Sequence, residues 1–294
     1  MSTNPLTLQV KYLTNGFLTE RMSRNLSSRT IEFYSDELRY FTDLLSTENI
    51  GEITSDTIRK YLLKLSASRN GGGCHAAFRS IKAFLNWFEN EYEPENWKNP
   101  IRKVKPPENK IRPLPGVSIP DIQKMISTCD SQRDKTILLF LLDTGVRASE
   151  LIALNYSDVN VLTGSIIIQH GKGDKRRIVF IGKKTIKELR KYLDTRIYLT
   201  KDSPLFATEF STRLSFSGLR QIIRRRSEDA NLDEPGLHDF RRAFAVNSLK
   251  NGCDLISLSR LLGHSSVVVT QRYIYQDEND LQIVHSKTSP VDAM

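Results

Sequence analysis

The 294 residues predict a mainly α protein of two domains, with a small β-hairpin in its second half. Three observations carry that expectation. Apolar residues recur at helical spacing through about the first hundred residues. A proline-rich, basic stretch then interrupts all periodicity. Beyond it helical patterns resume and give way once, over residues 165–181, to β-branched runs around a glycine-containing turn.

In the first half, Ile31, Tyr34, Leu38, Phe41 and Leu45 fall on one face of a helix over residues 27–45, with Ser27 or Ser28 as its N-cap. A second helix over Asp56–Leu65 turns Ile58, Leu62 and Leu65 inward. Asn70-Gly71-Gly72-Gly73 is expected to break the chain. A further helix follows, with Ala77, Ile81, Phe84 and Phe88 on one stripe. These patterns describe a small all-helical domain of roughly four helices. Pro100, Arg102, Lys103, Lys105, Pro106, Pro107, Lys110, Arg112, Pro113 and Pro115 then crowd together and oppose both helix and strand. The domain boundary is placed near residues 105–116. The connector suits either a solvated linker or contact with a polyanion.

The second half opens on a helix at Ile119-Pro120-Asp121 and an apolar one over Arg133–Leu142. The hairpin is formed by Ser165–Gln169, a turn through Gly171-Lys172-Gly173-Asp174-Lys175, and Arg177–Ile181. Helices follow over Lys184–Leu193, Gly218–Ala230, Asp239–Lys250, Leu255–Leu262 and Val267–Tyr273. There is no internal repeat and no low-complexity tract.

Composition narrows the function classes. A hydrophobic fraction of 39% is enough to build a core, and a net charge of +9 favours a polyanionic partner, nucleic acid before membrane. Cys74, Cys129 and Cys253 lie far apart with no CxxC pair, so neither a zinc site nor a disulfide framework is expected, and a reducing cytoplasm fits. The opening residues lack a secretory pattern. The longest strongly apolar run, Ile137–Leu142, is too short to span a bilayer, so no membrane role is expected.

Four segments bring together residue types suited to phosphate chemistry. In Thr144-Gly145-Val146-Arg147-Ala148-Ser149-Glu150-Leu151, a glycine turn places Arg147 at a helix start, where Asp143 or Glu150 is positioned to orient it. The hairpin turn carries Lys172 and Lys175. His238-Asp239-Phe240-Arg241 puts His238 and Arg241 on one helical face. In Leu261-Leu262-Gly263-His264-Ser265-Ser266, Gly263 ends one helix and a serine caps the next, with Tyr273 nine residues beyond His264 and Tyr275 close by. Taken singly, each segment also describes a capped helix or a solvated turn.

In this order and spacing, the four segments resemble the motifs of tyrosine recombinases of the phage-integrase family, over essentially the whole second domain. The helical first domain resembles that family's core-binding domain, and the chain length resembles its simple two-domain, Xer-like members. The resemblance implies a core-binding, SAM-like DNA-binding domain over residues 1–105, a basic linker over 106–116, and an α+β catalytic domain with a C-terminal tail over 117–294. It implies a site-specific recombinase that cuts and rejoins DNA through a 3′-phosphotyrosine, without metal, other cofactor or ATP. Tyr273 is then the nucleophile, and Tyr275 the competing choice. Only about one free tyrosine in a thousand is ionised at pH 7, so the pocket has to stabilise the phenolate. Arg147 and Arg241 are expected to grip the non-bridging oxygens, and His264 to add a hydrogen bond to the same phosphate. Lys172, with Lys175 as its alternative, is expected to protonate the leaving 5′-oxygen, His238 to assist proton transfer at the nucleophile, and Glu150 to orient Arg147.

The resemblance also implies a double-stranded DNA recombination site as partner and a homo-tetramer on DNA, with a second recombinase as an optional hetero-partner. Both domains are expected to close on the duplex. Candidate backbone contacts are Lys103, Lys105, Lys175, Arg220, Arg224 and Arg225, the last three in a basic run with Arg226. The tail residues Leu281, Ile283 and Val284 are expected to dock on a neighbouring protomer. One position departs from the family pattern: Arg242 stands where histidine is frequent. Phage or mobile-element integration, excision and chromosome or plasmid resolution all remain open. So do relaxation of the type IB topoisomerase kind and a DNA-binding regulator without catalysis.

Overall fold

The computed structural model describes residues 4–45, 48–108, 116–169, 176–264, 266–271, 273, 282, 285–286 and 289–292. The chain divides into two compact units, Met1–Arg112 and Pro113–Met294.

The first unit contains α1 (Val10–Ser23), α2 (Ser28–Leu44), α3 (Ser55–Ser66) and α4 (Gly71–Tyr92), with short 3-10 turns at Pro5–Thr7, Ile50–Glu52 and Pro100–Lys103. Its core is aromatic: Phe17, Phe41, Phe84 and Phe88 are fully buried, and Phe17 meets Tyr34, Phe84 and Trp87 edge-on. Ser27 and Thr54 cap α2 and α3 by accepting the amides of Thr30 and Thr57. The three glycines expected to break the chain instead form the first turn of α4. The Asn70 side chain accepts the Gly73 amide at 2.9 Å. The cap and nine buried residues farther along α4 outweigh a cost of about 1 kcal/mol for each glycine.

The second unit runs α5 (Ile119–Ser127), α6 (Gln132–Thr144), α7 (Ala148–Ala153), β1 (Val159–Asn160), β2 (Ser165–Ile168), β3 (Arg177–Phe180), α8 (Lys183–Asp194), α9 (Phe216–Asp229), α10 (Leu237–Lys250), α11 (Leu255–Leu262) and α12 (Val267–Gln271). The hairpin strands pair antiparallel with Ile166 opposite Val179 and Ile168 opposite Arg177. A two-residue strand unseen in the sequence pattern, β1, adds to its edge through Val159 and Asn160. Ile166, Ile168 and Val179 face a core shared with Ile137, Leu138, Phe140 and Leu141 of α6, Leu189 of α8, Ile223 of α9 and Phe240 of α10. Ile178 and Phe180 alternate outward. A smaller cluster of Ala245, Leu258 and Leu262, with Phe244, Leu249, Cys253 and Tyr273 against it, joins α10 to α11. No helix among the described residues is long and apolar enough to cross a membrane.

Candidate active site

The site is assembled at helix ends. α6 stops at Gly145, whose φ of +58° is strained for a side-chain-bearing residue. Space excludes a side chain there as well, because a Cβ would fall 2.3 Å from Phe244 Cδ1. The glycine thus brings the end of α6 directly onto α10. α11 stops in the same manner at Gly263, with φ of +65°.

Arg241 projects from α10 into the gap between these two ends and is only 1% exposed. Its Nη1 donates to the Gly145 carbonyl at 2.7 Å, and its Nη2 to the Leu262 carbonyl at 2.6 Å. Nη2 also lies 3.0 Å from His264 Nε2. The Nε–H has no partner among the described residues. No carboxylate among the described residues touches this guanidinium. Burial and the nearby Arg147 charge push its pKa down to about 10, with Glu150 opposing. A buried cation without a contacting anion, with a donor to spare, is arranged to receive one.

Arg147 precedes the first turn of α7, and Glu150 reaches back to it. The Glu150 carboxylate accepts the Arg147 backbone amide at 2.7 Å and Arg147 Nη1 at 2.8 Å. A second guanidinium, Arg177 of β3, grips the same carboxylate with both Nη atoms. Of the two carboxylates expected to orient Arg147, only Glu150 does so. Asp143 instead accepts the Gly182 amide and the Thr185 hydroxyl, both at 2.7 Å, and caps the start of α8. Burial pushes the Glu150 carboxyl up, but the Arg177 hydrogen bonds, the Arg147 amide and both cations outweigh it and hold the group near 2 instead of 4.5.

A carboxyl held below its usual range stabilises the fold above about pH 4.5, and that stability is lost as the pH falls towards 2. The span corresponds to about 3 kcal/mol. Urea denaturation of the full chain should show the wild type losing roughly that much more stability than Glu150→Gln between pH 5 and pH 2. Parallel losses in the two proteins would exclude Glu150 as the source.

His264 follows Gly263 and stands between two partners. A guanidinium only donates, so His264 Nε2 accepts from Arg241, and the Nδ1 proton points at the Thr270 hydroxyl 2.8 Å away. Burial, then the Arg241 and Arg147 charges, lower its pKa to about 4, keeping the ring neutral at physiological pH. Tyr273 lies one turn beyond Thr270, its ring stacked on His264 with centroids 6.1 Å apart and planes 21° apart. His238 stands one turn before Arg241 at an exposed position. The packing around its ring, followed by the charges of Arg241 and Arg242, lowers its pKa. Arg242, the departure from the family pattern, is tied to Asp239 at 2.6 Å.

Direct contacts therefore join Arg147 to Glu150, Arg241 to His264, and His264 to Tyr273; charge couples the two groups to each other and to His238. Lys172, Lys175, Tyr275, Leu281, Ile283 and Val284 lie outside the described residues. Arg177 and Thr270 were not anticipated. The period-two pattern of β3 does place Arg177 on the inward face with Val179, which is the one signal that distinguishes it.

Among the backbone candidates, Lys103, Lys105 and Arg225 are exposed. Arg220 and Arg224 are exposed too, and pair with Glu234 at 3.2 Å and Glu228 at 2.9 Å. Such solvated pairs hold weakly and exchange readily for phosphate. Arg226 does not belong with them. Its side chain is largely buried against Asp130, Asp134 and Asp229, where it ties α9 to the start of α6.

The Phage integrase family profile matches residues 116–280. A tyrosine recombinase XerC of Thermodesulfovibrio yellowstonii is 30% identical, over 95% of this chain and 96% of its own length. XerC of Pelobacter propionicus is 28% identical over 97% and 96%. Among solved structures, a XerH site-specific recombinase in a post-cleavage complex with its palindromic difH substrate superposes with a TM-score of 0.74 at 19% identity, covering 92% of this chain and 82% of that one.

Proposed function

Since the chain belongs to the phage integrase family and is a site-specific DNA recombinase of the tyrosine type, we propose that Tyr273 performs its cutting and rejoining within the Arg147–Arg241–His264 cluster. The observation that carries this assignment is Arg241: a buried guanidinium, held by carbonyls and a neutral histidine, with an Nε–H that has no partner among the described residues and a second arginine nearby. A phosphodiester supplies the missing anion.

In the proposed step the Tyr273 oxygen attacks the scissile phosphorus and the bond from phosphorus to the 5′-oxygen breaks. The tyrosine proton passes towards His238, whose lowered pKa keeps it neutral and able to accept. Arg147 and Arg241 hold the non-bridging oxygens, where charge grows in the transition state. Lys172 protonates the departing 5′-oxygen. Another strand's 5′-hydroxyl then displaces the tyrosine and reseals the backbone, so the phosphotyrosine conserves the bond energy and no ATP is needed.

His264 has two available roles in this step. With Nε2 accepting, it braces Arg241. With the proton on Nε2, it donates to the phosphate, and Nδ1 then accepts from Thr270. A hydroxyl serves either tautomer, because it both donates and accepts.

The proposed partner is a double-stranded recombination site. Two duplexes present four strands to be cut, which calls for four copies of the chain. The exposed Lys103, Lys105, Arg220, Arg224 and Arg225 are proposed contacts to the backbone, and Lys175 joins them from the hairpin turn. The tail beyond Tyr275 is proposed to dock on a neighbouring copy. Action in the cytoplasm goes with this reading. The two alternatives left open by the sequence, topoisomerase-like relaxation and non-catalytic regulation, are not favoured: the full-length relatives are recombinases.

The test selects the recognised site from fragmented genomic DNA and places it on two plasmids. Purified protein, without metal or ATP, should form a covalent adduct on a nicked copy of the site and join the two plasmids. Relaxation of supercoils without joined products would instead restore the topoisomerase reading, and site binding with no adduct the regulator.

A further inference from the structure

β3 alternates strictly. Ile178 and Phe180 point to solvent, while Arg177 and Val179 point inward. An arginine on the inward face of a half-buried strand needs partners for its donors, and Arg177 has them at both ends of the fork. Nη1 and Nη2 meet the two oxygens of Glu150 at 2.8 and 2.7 Å, in the bidentate geometry peculiar to arginine. Nε donates to the Leu261 carbonyl at 2.9 Å. Gly263 makes room for the side chain, because a Cβ there would lie 2.8 Å from Arg177 Cδ.

The two partners lie on different segments of the proposed site. Glu150, 4% exposed, also holds Arg147 by its side chain and its backbone amide. The Leu261 carbonyl belongs to the last turn of α11, immediately before the Gly263–His264 turn. Its neighbour, the Leu262 carbonyl, is already taken by Arg241. Arg177 therefore joins the start of α7 to the end of α11 from a third element. Side-chain contacts among the described residues do not place it on the nucleophile itself.

We infer that Arg177 is a positioning residue for strand cleavage: through Glu150 and the Leu261 carbonyl it sets the spacing between Arg147 and His264. The inference rests on the reading of those two residues as phosphate ligands. It separates Arg177 from an ordinary structural ion pair, because its loss should slow cleavage well beyond any effect on binding.

The experiment compares Arg177→Lys, Arg177→Gln, Glu150→Gln and the Glu150→Gln/Arg177→Gln double variant with wild type. Adduct formation on the nicked site, affinity for the intact site, and thermal unfolding are each measured. Arg177→Lys keeps a cation beside Glu150 and so protects folding, but it loses the fork and the bond to Leu261. It should bind within about threefold of wild type and cleave roughly 30-fold more slowly. Glu150→Gln should be slowed to a similar extent. The double variant should be no more than about threefold slower than the slower single variant, because the two residues act in one chain.

Wild-type cleavage by Arg177→Lys would overturn the inference. So would losses that multiply in the double variant, or a loss of cleavage matched by an equal loss of affinity. If Arg177→Gln fails to fold, the lysine variant still decides. Failure of the underlying functional reading is distinguishable: wild type itself would then form no Tyr273-dependent adduct.

Discussion

Tyr273→Phe should form no detectable covalent adduct on a nicked recombination site, a loss of at least about 10⁴-fold, or some 5.5 kcal/mol of transition-state stabilisation. The substitution removes a hydroxyl and little else. The ring remains available to stack on His264 and to pack against the α10–α11 cluster. Site affinity is accordingly expected to stay within about threefold, because an interaction confined to the transition state is absent from binding. Tyr275→Phe, assayed in parallel, should retain the adduct. The measurement is a denaturing gel that separates free from protein-linked DNA. An adduct that persists in Tyr273→Phe and vanishes in Tyr275→Phe would move the nucleophile two residues along the chain.

The second large effect concerns Arg241. Arg241→Lys should lower the cleavage rate by about 10³-fold while leaving a folded protein that still binds its site. Lysine keeps the charge and much of the buried stem. It does not reproduce a planar fork that reaches the Gly145 and Leu262 carbonyls and His264 together while keeping Nε clear of every described residue. The ammonium is also the easier group to neutralise: where burial brings a guanidinium down to about 10, a lysine in the same place starts some two units lower. Single-turnover cleavage at saturating protein, compared at pH 7 and pH 9, gives the result. Cleavage within tenfold of wild type would make Arg241 a strut between helix ends and transfer the phosphate to other donors.

Much of this arrangement was legible in the linear pattern. Period-3.6 stripes located most helices. Gly145 and Gly263 read as helix terminators, and Glu150, three residues after Arg147, read as its orienter. These relationships are local, spanning one turn or one cap. What was not legible depended on contacts between distant segments. Arg177 and Glu150 are 27 residues apart, and Arg177 and Leu261 are 84 apart. Asp143 was equally eligible by sequence as a partner for Arg147, and only the approach of the α8 start claimed it. Arg226 is indistinguishable from Arg225 on paper; the approach of Asp130 and Asp134 from the α6 end decides which of the two is buried. Gly71, Gly72 and Gly73 misled because local propensity is weak beside the burial offered by the rest of α4.

The acceptors that hold Arg241 are main-chain carbonyls, of Gly145 and Leu262, and the one that anchors Arg177 is the carbonyl of Leu261. No point mutation deletes a carbonyl. Substitutions at Leu261 or Leu262 alter packing yet leave the acceptor in place, so drift along the end of α11 is buffered against loss of the pocket. Vulnerability concentrates instead in Gly145 and Gly263, where a single methyl group would sit at a strained positive φ and collide with the Phe244 ring or the Arg177 side chain. A mutational scan of this region should therefore find intolerance at two residues that touch no substrate, and latitude at neighbours whose backbone holds the guanidinium groups.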